Sequence, residues 1–151
     1  MSPAAIRENI GITRERIRKA AEASGRSLDN IRLVAVSKKM PADSVVAAIA
    51  AGQRCFGENT LQDAATKQAL IDDPGNEWHF IGHLQTNKAR GVAENFDWLH
   101  TLDSLRLAKK ISAGRPNSTD AIKVLLQVNI AGDPDKQGLT PGSVFGIVED
   151  L

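Results

Sequence analysis

The feature that most limits what this chain can become is a regular alternation of short apolar runs with helix-patterned stretches. The runs are IRLVAVS at 31–37, QRCFGEN at 53–59, EWHFIGHL at 77–84, DWLHTL at 97–102 and AIKVLLQVNI at 121–130. Between and after them lie ADSVVAAIAAG, TLQDAATKQALI, NKARGVAENF, LRLAKKISAG and SVFGIVEDL, all spaced for helices. An initial helix precedes the series, with Ile6, Ile10 and Ile17 on one face and Gly25 as its stop. Pro41 and Gly52 bracket the second helix, and a turn is expected at 72–76. Thr86 is expected to cap the fourth helix, and Asp103 or Ser104 the fifth. Runs this apolar suit parallel strands covered on both faces. The fold class is therefore α/β, about five βα units after an N-terminal helix. Two architectures fit: a doubly wound open sheet or a (β/α)8 barrel.

Bulk properties narrow the partners. At 151 residues, 42% hydrophobic and 25% charged, the chain has the makings of one globular domain. Its 19 basic and 18 acidic residues are interspersed, so neither a nucleic-acid stripe nor a charged tail is expected. The first residues are polar and no apolar run nears a membrane span, so no membrane partner is expected. Cys55 is the one cysteine, which precludes an internal disulfide and fits a cytoplasmic setting. Tyrosine is absent from the composition.

The C-terminal ends of the five runs share a property. They finish at Ser37-Lys38, Glu58-Asn59, the Gly82–Gln85 stretch, Asp103 and Asn129, each polar, and parallel α/β folds bind ligands at that edge. Two readings of the lysine at the first end compete: it faces water, or its amine points into a pocket. Strand alternation does not choose between Lys38 and Lys39, because both faces of the run are apolar.

The stretches LVAVSKKMP, AGQRCFGEN, WHFIGHLQTNKAR, LHTLDSLRLA and VLLQVNIAGDPDKQGL, in this order, resemble the N-terminal part of the pyridoxal phosphate homeostasis proteins. The resemblance implies a barrel like that of alanine racemase, here a partial (β/α)8 TIM-type barrel. It implies pyridoxal 5′-phosphate (PLP) as cofactor, bound as a Schiff base, with Lys38 forming the aldimine. Family members continue through three more strands that carry a phosphate cup. The expectation is thus a single incomplete PLP-binding barrel domain over 1–151. The partners implied are the small-molecule cofactor and apo PLP enzymes, and family members resemble monomers at full length.

A lysine condenses with an aldehyde only as the free amine, so shielding by Val34, Val36 and neighbouring strands is expected to lower its pKa. Asn59 is the candidate for a polar contact to the ring, or else a helix N-cap. His79 shares one side of its strand with Ile81; within the resemblance both reach the pocket, and otherwise His79 is a hydrogen-bonded core histidine. His83 at the strand end is a pocket or a loop residue. Asp103 and Asn129 are rim candidates, Glu58 a structural hydrogen-bonder, Lys88 and Arg90 a solvated helix face, and Cys55 a core thiol. No metal-site spacing occurs among the three histidines. The functional reading is PLP binding and homeostasis without evident catalysis. The alternatives are a racemase of the alanine racemase type, which would need a tyrosine from elsewhere, and a class I aldolase.

Overall fold

The computed structural model describes residues 1–71 and 73–151, so Asp72, the first residue of the expected turn at 72–76, lies outside the described residues. Five strands form one all-parallel sheet in the order β1-β2-β3-β4-β5: Ala35–Val36, Cys55–Glu58, Glu77–Phe80, Trp98–Leu102 and Lys123–Leu126. Six helices accompany them: α1 Pro3–Ala23, α2 Ala42–Ala50, α3 Leu61–Leu70, α4 Ala89–Asn95, α5 Leu105–Gly114 and α6 Val144–Asp150. Strand order equal to chain order is the topology of a barrel wall. The doubly wound alternative would reverse direction within the sheet. The molecule is a five-unit portion of an α/β barrel.

Local chemistry sets the boundaries. Ser2 and Pro3 start α1, and Gly25 ends it with a φ of 66°. Thr60 caps α3 by accepting from the Asp63 amide, and Ser104 caps α5 by accepting from that of Leu107. Thr86 makes no cap; it opens a 3₁₀ turn that runs into α4 without a side-chain bond at its start. Expected at 31–37, β1 is regular only at Ala35–Val36. Upstream, the Gln53 side-chain amide donates to the Leu33 and Cys55 carbonyls, standing where ladder bonds would lie.

The core lies between the sheet and its helices. Phe56, Trp78, Phe80, Phe96 and Leu99 are buried there against Val45, Ala64, Val92 and Leu107. Each large side chain so buried contributes about 1.5–3 kcal/mol. The Arg14 guanidinium ties α1 to the end of α2 by donating to the Ala51 and Gly52 carbonyls. Helices cover one sheet face. On the other face Val36 and Leu125 stay about half exposed, and β5 alternates exposed with half-buried residues. The two-sided cover expected of the apolar runs is not seen there among the described residues, where side chains such as Arg32 over Trp98 supply what cover there is. No helix among them is long and apolar enough to cross a membrane.

Candidate functional site

Register sorts the strand residues between the two faces. Ala35 pairs with Phe56 and Val36 with Gly57, while Gly57 pairs with His79. The open face therefore carries Val34, Val36, Cys55, Gly57, Glu77, His79 and Ile81. A Cβ on Gly57 would meet Ile81 Cδ1 at 3.2 Å and Val34 Cγ1 at 3.4 Å, which places all three side by side. Ser37 turns the other way: its amide donates the last ladder bond to the Gly57 carbonyl, and its hydroxyl donates to Glu58 Oε1 at 2.6 Å beneath the helices. Lys38 follows in a turn just past that last ladder bond, exposed at the C-terminal edge. Lys39, with a φ of 61°, gives its amide to Asp63 Oδ2 at 3.0 Å on the helix side.

Lys38 is exposed, and among the described residues it makes no hydrogen bond or ion pair. The shielding expected from Val34, Val36 and adjacent strands is not present, because β1 is an edge strand and Val36 is itself open to solvent. Asn59 sits half-buried at the β2 tip and does not cap α3, since Thr60 holds that position. Its backbone abuts Gly82, where a Cβ would lie 2.3 Å from the Asn59 oxygen; only glycine lets the β2 and β3 tips approach this closely. Ile81 and His83 line a cavity of about 550 Å³ at the tips of β3 to β5, with Thr101, Gln127, Asn129 and Lys136. Lys38, Asn59 and His79 are not among its lining residues. His83 is exposed, with Nδ1 3.9 Å from Asp103. Asn129 spends its amide on the carbonyls of Asp133 and Lys136, holding the following loop.

His79 lies deeper on the open face and is buried. Its ring stacks on Trp98, and Nδ1 is 2.9 Å from His100 Nε2, while its own Nε2 has no partner among the described residues. Burial, and then the neighbouring His100, pull its pKa down from 6.5 to about 4. Near the strand starts, Glu77 accepts from Arg32, Trp98, Lys123 and Cys55. Burial would raise its pKa, but the bonds from Trp98 and Cys55 and the charges of Arg32 and Lys123 outweigh that and hold it low. Cys55 is therefore no core thiol. It is half-buried on the open face and bonded to a carboxylate, and burial followed by that bond pushes its pKa up to about 11. Cys55, Glu77 and His79 offer donor atoms within 4.8 Å of one another. Glu77 is already engaged by two cations there, so we assign no metal to the group.

Glu58 is the hydrogen-bonder expected, but its partner was not foreseen. Lys67 of α3 is buried, and its ammonium donates to Glu58 Oε1 at 2.6 Å, to the Ser37 carbonyl at 2.8 Å and to Asp63 Oδ2 at 3.1 Å. The sequence held a signal: Ala64, Lys67 and Ile71 fall on one helical stripe, and a lysine on a buried stripe needs a partner. Lys88 and Arg90 are exposed, as expected.

Comparison with known proteins bears on this geometry. The family model described as "Alanine racemase, N-terminal domain" matches residues 2–151. The chain belongs to the alanine racemase N-terminal domain family. Within that family it is similar to the pyridoxal phosphate homeostasis protein of Pseudomonas aeruginosa PAO1, 46% identical over 144 residues, covering 95% of this chain and 63% of that protein. The corresponding protein of Escherichia coli K12 is 45% identical over 137 residues, covering 89% of this chain and 58% of that one. The chain thus spans about three fifths of the length of these relatives. Among solved structures, PipY of Synechococcus elongatus PCC7942 with PLP bound superposes with a TM-score of 0.68 at 36% identity, covering 89% of this chain and 62% of PipY.

Proposed function

We propose that this chain takes part in PLP homeostasis by holding the cofactor covalently on Lys38. The observation that carries the reading is the place of Lys38: just past the last ladder bond of β1, at the edge where parallel α/β folds bind ligands. Lys38 fits the aldehyde end of PLP in being unpaired among the described residues, while the shielding expected for its amine is not seen among them. Lys39 fits less well, because its backbone is drawn toward α3. The names of the curated relatives and the PLP bound in PipY support the same cofactor.

When bound, PLP supplies an aldehyde that condenses with a lysine amine. The chain's residues supply position. Asn59 at the adjoining tip offers its side chain to a polar ring atom, and Ile81 and His83 bound the space beyond β3. His79, half-way down the open face and outside that cavity, keeps an uncharged ring stacked on Trp98. We read the role as holding and release, in keeping with the names of the curated relatives. Release to apo PLP enzymes would follow in a cytoplasmic setting.

The test is borohydride reduction of the purified protein with PLP, followed by peptide mapping. The pyridoxyl label is expected on Lys38. Labelling on Lys39, or scattered over surface lysines, refutes the assignment. Racemisation of L-alanine lost in Lys38→Ala would refute the non-catalytic part and favour the racemase.

A further inference from the structure

Lys67 is a lysine with almost no exposure inside the sheet–helix layer, and the proposed holding role does not use it directly. Its three acceptors are unusual in where they lead. The Glu58 carboxylate also takes the Ser37 hydroxyl, the Ser37 carbonyl begins the peptide that leads to Lys38, and Asp63 also takes the Lys39 amide. The Ser37 amide is held by Gly57, and the Met40 amide returns to the Ser37 carbonyl. Both residues flanking Lys38 are therefore anchored from the helix side, while Lys38 itself makes no bond among the described residues.

A purely structural role explains this poorly. A buried ion pair returns little net stability, since desolvating both charges offsets most of their attraction, and well-packed apolar residues do as well. Glu58 here even leaves Oε2 buried without a partner among the described residues. What such a network can provide is geometry: it permits one arrangement of the turn and penalises others. An amine swinging from a fixed Cα meets an aldehyde far more often in a productive orientation than one on a loose loop.

We propose that Lys67, with Glu58 and Asp63, is a positioning device for Lys38, fixing the turn from Ser37 to Met40 beneath the reacting amine. This rests on the assignment of Lys38 above. Asp63 is the leg to test first: its side chain is about one-third exposed, so its loss is tolerable to the fold, and it holds both Lys67 and the Lys39 amide.

Three proteins are compared: the parent, Asp63→Ala and Glu58→Gln/Lys67→Met. Amide hydrogen exchange without ligand, PLP titration by absorbance, borohydride mapping and thermal midpoint are read on each. Asp63→Ala is expected to keep its midpoint, lose protection at the Lys39 amide, bind PLP about tenfold more weakly and spread label from Lys38 to Lys39. The double variant, if folded, is expected to show the same loss of affinity. Unchanged affinity and exclusive Lys38 labelling in a folded Asp63→Ala protein would overturn the positioning role and leave the Lys38 assignment standing. A parent protein not labelled at Lys38 overturns that assignment, whatever the exchange data show about the turn.

Discussion

Acidification from pH 7 to pH 5 should destabilise this protein through His79, and the size can be worked out. The ring is about 1% exposed, stacked on Trp98 and edge-on to His100. Burial is the larger cause of its low pKa and the His100 ring the next; Glu77 opposes them, and Arg32 and Lys123 add slightly to the depression. The folded state thus prefers the neutral ring, while the unfolded chain binds a proton near the ordinary 6.5. Because the unfolded state binds more protons, stability rises with pH. The contribution is complete above about 6.5 and erodes as pH falls toward 4. At pH 5 almost every unfolded molecule carries the proton but only about a tenth of folded ones do, a loss of about 2 kcal/mol against pH 7. Carboxylates also titrate toward the acid end, so the assay needs a reference. Urea denaturation is run at both pH values on the parent and on His79→Gln, whose side chain does not titrate. The parent should lose about 2 kcal/mol more than the variant. Equal losses in the two proteins, or an NMR titration of the His79 ring centred near 6.5, would refute the reasoning.

Other consequences follow from single contacts. Lys67→Met strands the Glu58 carboxylate in the core and should cost about 3–5 kcal/mol by urea denaturation, with much of it restored by adding Glu58→Gln; a loss below 1 kcal/mol would mean the pair is not buried as described. Gly82→Ala drives a methyl into the Asn59 backbone and should lower stability by about 1–3 kcal/mol, unless the β2 tip yields freely, in which case the thermal midpoint would not move. Cys55 at a pKa of about 11 should react with iodoacetamide at neutral pH roughly 10²-fold more slowly than a free cysteine, and Glu77→Gln should quicken it; a rate equal to free cysteine contradicts the Cys55–Glu77 bond.

The strand–helix alternation was legible because each unit punctuates itself. Gly25, Gly52 and Ser104 act where their chemistry places them, while the cap of α3 falls to Thr60, one residue past the Asn59 expected. The apolar content of the runs says less: Val36 and Leu125 are about half exposed on a face that a five-unit portion of a barrel leaves open, and burial there depends on what lies across the sheet, which no local pattern encodes. The same gap explains Cys55: its type favours a core, but strand parity sends it to the open face, where Glu77 meets it. Glu77, His100 and Lys67 were not singled out because their roles come from partners on neighbouring elements, 9 to 46 positions away in the bonds they make.

The choice between Lys38 and Lys39 turns on the same kind of non-local fact. Within the run, Ala35 and Val36 are equally apolar, so neither face announces itself. One hydroxyl breaks the symmetry: Ser37 reaches Glu58, Glu58 is held by Lys67 on α3, and α3 lies on the covered side. Ser37 is committed inward, and Asp63 draws the Lys39 amide to the same side. Ser37 and the Lys39 amide are thus both held from the helix side, and Lys38 between them is not.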